Sequence, residues 1–181
     1  ILIMRYPGGG WEAGGRRTEL VSNVDVLPTL LEACGLEVPD RIEGRSFLPL
    51  LEGGDYKPRE QVFAEKIYHD TYDPTRAIRT ERYKYIRYFT VCIFQDLRIA
   101  TIPRWDYFKE RPVRDSVEEL YDLKNDPWEE KNLADDPDYE DVKNQLSRRL
   151  AQWMQDTDDP PLDGPITSPY YEEKMQEFLT T

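Results

Sequence analysis

The chain has 181 residues, which is enough for one domain or for a small domain with part of another. Hydrophobic residues make up 39% and aromatic residues 12%, so the chain can bury a core and is not a disordered tail. The net charge of −12 argues against nucleic acid and against an anionic membrane as a main partner, because both attract a positive surface.

The cysteine count and the hydropathy bear on whether the chain is a disulfide-rich, membrane-spanning or secreted protein. Two cysteines, Cys34 and Cys92, are too few for a disulfide framework, and they form no CxxC pair. They therefore do not indicate the cellular compartment of the protein. No apolar run reaches the roughly 18 residues that a membrane span needs. The N-terminal apolar run is short and has no basic leader, which is not typical of a signal peptide.

The first 55 residues predict a strand followed by a helix, as at the end of an α/β layer. The short apolar run at 1–5, which ends at Arg5, is followed by Tyr6, Pro7 and three glycines, which favours a buried strand and a loop. Residues 22–34 predict a helix that Ser22 and Asp25 begin as a capping box. Apolar side chains recur on one face at steps of three and four: Val24, Leu27, Leu30, Leu31 and Cys34. We expect Cys34 to be a core thiol.

After residue 55 the pattern changes to short strands. Alternating strand-forming residues predict a small antiparallel sheet with strands at 62–68, 76–79, 83–89 and 118–123. A hairpin turn is predicted at 80–82, and in the strand after it the odd-numbered and even-numbered residues face opposite ways. Residues 90–116 lack periodicity and predict an irregular excursion.

The strongest helix signal begins at Asp136, a capping residue that Pro137 follows at the first helical position. One apolar stripe then covers about four turns and predicts a helix packed across the sheet; it consists of Tyr139, Val142, Leu146, Leu150, Trp153 and Met154. Residues 158–169 contain four prolines and predict an extended segment, and 170–179 predict a short helix.

Few residues offer catalytic chemistry. His69 is the one histidine, so a Ser-His-Asp arrangement is possible only through it, and a zinc site lacks neighbouring His and Cys ligands. The candidate site with the most polar residues close together is the end of the strand predicted at 62–68. Lys66, His69 and Asp70 lie close in sequence there. A histidine beside an aspartate is commonly a structural pair; the functional alternative is that these three side chains hydrogen-bond an anionic or hydroxylated substrate.

Four arginines form a local basic patch in an otherwise acidic chain, at positions 76, 79, 82 and 87. Salt bridging with nearby carboxylates is the favoured interpretation, because such pairs are common. The alternative is contact with a sulfated or carboxylated ligand, for which a planar guanidinium is well suited. Arg79 is the patch residue that we retain as a candidate for binding substrate.

Three stretches in order carry a family resemblance. The first consists of LIMRYPG at 2–8 with VSNVDVLPTLL at 21–31; the second is EGRSFLPLL at 43–51; the third combines ELYDL, DP and EKNL between 119 and 133. Together they resemble the C-terminal part of type I sulfatases of the alkaline phosphatase superfamily. Residues 62–89 and 153–160 are most similar to the sulfamidase (heparan N-sulfatase) branch.

The resemblance implies a fold. Residues 1–55 would be the tail of the large α/β sulfatase domain, which is alkaline-phosphatase-like. Residues 56–160 would be a small C-terminal antiparallel sheet packed by a helix, an α+β arrangement, and 161–181 an extended tail. In the family this small domain helps to close one side of the substrate cleft, which agrees with candidate residues at Lys66, His69, Asp70 and Arg79.

The resemblance also implies which parts of a sulfatase to expect elsewhere. The family's nucleophile is a formylglycine made in a Cys/Ser-x-Pro-x-Arg motif, and its calcium is held by Asp and Asn. Neither cysteine matches that motif, because Leu36 and Val38 follow Cys34 where Pro and Arg are required, and Cys92 fails in the same way. No catalytic or metal role therefore transfers to this chain, which we expect to be inactive alone.

Other functions remain open at this stage. One is a non-enzymatic module that binds anionic sugars or docks on a partner, including a separate N-terminal sulfatase domain. Another is a piece of a related phosphodiesterase or phosphatase. We also expect self-association of the chain when it is alone, because the apolar N-terminal strand would present an unpaired edge.

Overall fold

The computed structural model describes residues 2–11, 15–69, 71–90, 116–166 and 169–180. Its helices are α1 (Val26–Ala33), α2 (Leu48–Glu52), α3 (Glu140–Asp156) and α4 (Pro169–Leu179), and its strands are β1 (Val62–His69), β2 (Thr71–Arg79), β3 (Tyr83–Tyr88) and β4 (Glu118–Asp122). Short 3₁₀ turns include Asn23–Asp25, Pro137–Tyr139 and Pro160–Asp163. No helix in these segments is long and apolar enough to cross a membrane. Most of the predicted excursion, 91–115, lies outside the described residues.

The four strands form one antiparallel sheet in the order β1-β2-β3-β4. The predicted hairpin between β2 and β3 is confirmed: the Thr80 amide donates to the Tyr83 carbonyl at 2.8 Å, and the Tyr83 amide donates to the Thr80 hydroxyl at 3.0 Å. Because side chains alternate along a strand, Ile78, Tyr85 and Leu120 lie in register on one face. The predicted small antiparallel sheet is therefore confirmed.

Helix α3 covers that face and completes the core. Leu146 and Leu150 of α3 are buried against the row of three sheet residues, and Phe63 of β1 stacks on Trp153 with ring centroids 4.6 Å apart. The Asp136 carboxylate caps the turn before α3 by accepting the Asp138 amide at 3.1 Å. The stripe read from the sequence thus packs as predicted.

Strand β2 begins earlier than the sequence indicated. It extends back to Thr71, although Asp73 and Pro74 favour a turn, and the register with β1 shifts between Lys66 and Tyr68. Proline has no amide hydrogen for the ladder, so it is tolerated in a strand where pairing is irregular. The Pro74 carbonyl still accepts the Phe89 amide at 3.0 Å, which keeps β2 attached beyond the end of β3.

The N-terminal strand expected at 1–5 does not form in the described residues. Residues 2–5 have no regular structure, and the one bridge nearby joins Tyr6 to Trp11. A strand requires a neighbouring strand to satisfy its backbone groups, and none of the described segments pairs with this one. The expectation was therefore wrong for the chain by itself.

Helix α1 has its polar side inward and its apolar side outward. Asp25 and Thr29 are completely buried, while Leu27 is 54% exposed and Leu30 is 44% exposed. Cys34, predicted to be a core thiol, is also exposed. The periodicity located the helix correctly. The prediction that its apolar face is buried in the core was wrong, because no described part of the chain covers that face.

The inward side of α1 is held by a hydrogen-bonded cluster around Asp25. Its carboxylate accepts the amides of Ser22 at 2.9 Å and Arg45 at 2.8 Å, and it pairs with the Arg59 guanidinium. Gly44 permits this close approach, because a Cβ at that position would lie 2.0 Å from the Val24 carbonyl oxygen. The segment that follows α1 is thereby tied to the start of the helix.

A second buried ion pair joins the sheet to the chain after α3. The Arg76 guanidinium is fully buried and donates from Nε and Nη2 to the two carboxylate oxygens of Asp159, each at 2.6 Å. Its Nη1 donates to the carbonyls of Lys66 and Thr75, both at 2.9 Å. One side chain thus binds β1, β2 and the segment that begins after α3.

Asp159→Asn should lower the free energy of unfolding by about 3 kcal/mol, because it leaves a buried guanidinium without its counter-charge. Denaturant unfolding of both proteins checks this value. The matched control is Asp158→Asn at the preceding exposed position, where we expect a change of less than about 0.5 kcal/mol. Equal effects of the two substitutions would contradict a stabilising role for the Arg76 pair.

The Asp25 cluster predicts a dependence of stability on acid. Burial raises the pKa of Asp25, but the hydrogen bonds from Arg59, Ser22 and Arg45 together lower it by more. The pKa of Asp25 in the folded chain therefore lies below its usual value. A carboxyl with a depressed folded pKa contributes fully above its unfolded pKa of about 4, and the contribution is lost as pH falls through the folded pKa.

Asp25→Asn should therefore destabilise the chain by about 3 kcal/mol at neutral pH and by progressively less below about pH 4. Denaturant unfolding across this pH range measures the difference. Asp40→Asn, at an exposed position, is the control. A difference between Asp25→Asn and the parent chain that stays constant down to strongly acidic pH would show that Asp25 is not ionised in the folded state.

Candidate functional site

The candidate site lies at the tip of the β1–β2 hairpin. His69 is the last residue of β1 and pairs with Thr71 at the start of β2. Asp70, which joins the two strands, is outside the described residues. Lys66 lies three positions before His69 on the same strand, so the fold brings two of the three predicted residues, Lys66 and His69, to one end of the hairpin.

Lys66 is held by an ion pair at this tip. Its ammonium group contacts the Asp73 carboxylate, whose side chain is 3% exposed, while the Lys66 side chain remains 41% exposed. The Thr90 hydroxyl donates to the other Asp73 carboxylate oxygen at 3.2 Å. Asp73 therefore orients Lys66 while leaving part of the lysine accessible to a ligand.

Two tyrosines complete the tip. Tyr68 and Tyr72 face each other across the hairpin, with ring centroids 5.2 Å apart. The Tyr68 hydroxyl donates to the Ile166 carbonyl at 2.9 Å, and the Ile166 amide donates to the Tyr72 hydroxyl at 3.2 Å. The sequence analysis missed both residues, because β2 was not expected to extend back to Tyr72 and nothing in the sequence links them to residue 166.

Arg79 lies on the same sheet face as Lys66 but at the other end of the hairpin. Lys66 pairs with Thr75 and Val62 pairs with Arg79, so the two candidates are separated by four residues along the strands, or about 13 Å. Arg79 is exposed and makes no ion pair with a described residue. The fold thus places Arg79 apart from the tip cluster.

The other arginines of the basic patch are engaged in ion pairs. Arg76 is bound to Asp159, Arg82 contacts Asp122 with 2.7 Å between Nη2 and Oδ2, and Arg87 contacts Glu118 at 3.1 Å. The hydrogen bond from Arg82 lowers the pKa of Asp122. Salt bridging was the favoured interpretation of the patch, and these three contacts confirm it for Arg76, Arg82 and Arg87.

The described residues do not fit a calcium site. Calcium prefers six to eight oxygen ligands, mainly from carboxylates and carbonyls. Within residues 2–11, 15–69, 71–90, 116–166 and 169–180, no group of three or more His, Cys, Asp or Glu side chains is placed to hold a metal ion.

Comparison with known families decides the relationship. The model of the family described as N-sulphoglucosamine sulphohydrolase, C-terminal, matches residues 1–98, which is more than half of the chain. The chain belongs to this C-terminal sulfatase family. The resemblance seen in the ordered sequence motifs is thereby confirmed.

Two relatives of this segment carry sulfatase names. An ulvan-active sulfatase of Formosa agariphila is 38% identical over 149 residues, covering 78% of this chain and 30% of the relative. A Δ4,5-hexuronate-2-O-sulfatase of Bacteroides thetaiotaomicron is 32% identical over 123 residues, covering 66% of this chain and 20% of the relative. The chain thus spans about 30% or less of the length of these relatives.

A solved structure supports the fold of the sulfatase segment. A 2-O GAG sulfatase matches with a TM-score of 0.60 and 29% identity, covering 80% of this chain and 27% of that chain. The antiparallel sheet with its packed helix is therefore the C-terminal part of an alkaline-phosphatase-like sulfatase fold. The family model carries the name of a sulfamidase, whereas the relatives described above are named as sulfatases of ulvan, hexuronate or GAG.

Proposed function

We propose that this sulfatase segment serves as the C-terminal part of an enzyme that removes sulfate from sulfated carbohydrates. It docks on a large α/β domain through α1 and forms one side of the substrate cleft at the β1–β2 tip. The division near residue 55 separates the docking part from the small sheet domain. The family membership and the relatives named for sulfated sugars support the substrate class.

The outward apolar face of α1 is the observation that carries this proposal. Val24, Leu27 and Leu30 are 51%, 54% and 44% exposed, while Asp25 and Thr29 on the opposite side are completely buried. Burying a leucine stabilises a protein by about 2 kcal/mol, so two exposed leucines on one short helix, with Val24 in the 3₁₀ turn that leads into it, favour a covering partner. The large sulfatase domain is the proposed partner, because the relatives are much longer than the segment that they share with this chain.

The catalytic groups belong to that large domain in this proposal. A formylglycine nucleophile and a calcium ion are general sulfatase features, and the described residues offer no ligand cluster for the ion. The small sheet contributes binding instead: Lys66, His69 and Asp70 from the tip and Arg79 from the far end of the hairpin. A cationic side chain at either place attracts the sulfate or carboxylate groups of the sugar.

A chimera tests the docking role. The chain replaces the matching segment of the Formosa agariphila ulvan-active sulfatase, and sulfate release from ulvan is measured. We expect activity from the chimera and none from the 181-residue chain alone, either on ulvan or on an aryl sulfate. Turnover by the chain alone would contradict the proposal, as would a folded chimera without activity on either substrate.

Leu27→Glu in the chimera should prevent α1 from docking on the large domain and abolish sulfate release, because it places a charge in the apolar contact of α1. The control is Phe178→Glu on α4, where the side chain is 74% exposed and we expect no loss of activity. Labelling of Cys34 with a thiol reagent reports docking directly in a Cys92→Ser background, since we expect Cys34 to react in the isolated chain and to be protected in the chimera. Unchanged labelling in an active chimera would show that α1 is not the docking face.

The binding residues at the tip and at the far end of the hairpin are tested in the same chimera by the variants Lys66→Met, His69→Gln and Arg79→Met. Each should lower kcat/KM for the sulfated sugar about tenfold, which corresponds to about 1.4 kcal/mol of lost transition-state binding. Lys124→Met, at an exposed lysine in the turn after β4, is the control for lost positive charge. If all four substitutions changed kcat/KM equally and only slightly, Lys66, His69 and Arg79 would not bind substrate in the cleft.

A further inference from the structure

The exposed ring of Tyr68 is the unusual feature of the hairpin tip. Tyr68 is 53% exposed, whereas Tyr72 behind it is only partly accessible, and their ring planes are inclined by 54°. The ring of Tyr72 supports one side of the pair, so Tyr68 offers part of its surface to solvent. An exposed aromatic ring on a strand is common by itself, and its fixation makes this one informative.

The chain after α3 fixes the orientation of both rings. The single residue Ile166 accepts a hydrogen bond from Tyr68 with its carbonyl and donates one to Tyr72 with its amide. A tyrosine whose hydroxyl is anchored loses the freedom to change rotamer, so less entropy is lost when a ligand packs on its ring. The segment is itself anchored near its start by the buried pair of Asp159 with Arg76.

A charged side chain lies near this ring along β1. Lys66 is two residues before Tyr68 on β1, so both side chains belong to the same face, about 7 Å apart along the strand. The ammonium group of Lys66 is oriented by Asp73, and the Thr90 hydroxyl also contacts Asp73. An accessible aromatic face with a positive charge nearby matches a ring that has an apolar face and a negative substituent.

We propose that Tyr68 is the stacking residue of a saccharide subsite, with Lys66 binding an anionic substituent of the same saccharide. The C–H face of a pyranose ring packs on Tyr68, and the hydroxyl groups at the edge of the sugar remain available for hydrogen bonds. A protein partner fits this patch less well, because a stable protein interface buries on the order of 1,200 Å² or more. The assignment to substrate, although not the binding itself, rests on the function proposed above.

Saturation-transfer NMR on the 181-residue chain tests the binding. The probe is D-glucosamine-2-N,6-O-disulfate at millimolar concentration, compared with unsulfated glucosamine. We expect transfer to the ring protons of one sugar face, and weaker binding of the unsulfated sugar because Lys66 then has no anion to contact. Tyr68→Ala should weaken binding about tenfold and reduce this transfer accordingly.

Two further variants separate stacking from a purely structural role. Tyr68→Phe keeps the ring but loses the hydrogen bond to Ile166, so we expect most of the binding to remain. Tyr171→Ala removes another exposed tyrosine, on α4, and should bind like the parent chain. No transfer to the parent chain, unchanged binding by Tyr68→Ala, or equal losses in Tyr68→Ala and Tyr68→Phe would each overturn the proposal.

The chimera separates this inference from the proposed function. If the chimera hydrolyses sulfated sugar and Tyr68→Ala raises KM on the sugar but leaves turnover of an aryl sulfate unchanged, both stand. If the chimera is active and Tyr68→Ala changes neither KM nor saturation transfer, the subsite is wrong and the proposed function stands. Saccharide binding that depends on Tyr68 in a chain that never supports hydrolysis would retain the subsite and identify a sugar-binding module.

Discussion

Arg76 lies in the second strand with its guanidinium completely buried, and most of the small domain depends on what it binds. It satisfies the carboxylate of Asp159 with two hydrogen bonds and the carbonyls of Lys66 and Thr75 with two more. A buried charge is tolerated only when it is paired and fully hydrogen-bonded, so these contacts fix their partners together. They fix the end of α3 and the start of the chain that reaches Ile166. They also hold the part of β1 where the register with β2 changes.

The periodic elements of this chain could be predicted from the sequence, and the irregular ones could not. Leu146 and Leu150 recur with helical spacing, and Tyr83 and Tyr85 recur at every second position, so local pattern alone located α3 and β3. Strand β2 could not be traced past Pro74, because its pairing there follows a register shift that only the neighbouring strands impose. For the same reason Tyr72 was absent from the predicted site, and the contact of both tyrosines with Ile166 spans more than 90 residues of sequence.

Helix α1 shows a second limit of sequence patterns. A periodic row of leucines indicates that a helix has an apolar face, and the row does not indicate which molecule covers it. Here Asp25 and Thr29 fill the inward side with hydrogen bonds to the segment around Arg45, which leaves the leucines outward. The pattern was therefore correct about the helix and wrong about the core. The docking role proposed above would account for the difference, and the matched relatives are more than three times as long as the segment that they share with this chain.

The spacing of the candidate site residues constrains what they can bind together. Lys66 and Arg79 share one face of the hairpin, but their backbones lie about 13 Å apart along the strands and Asp73 holds the Lys66 ammonium group on the side of the tip, so one sulfate group does not contact both in this arrangement. If both bind substrate, the substrate is longer than one sugar ring and carries at least two negative groups. Tyr68 lies on the side of Lys66 away from Arg79, so the stacked ring and the Arg79 contact belong to opposite ends of such a chain. Sulfated polysaccharides have this repeating charge, whereas a small aryl sulfate can reach at most one end.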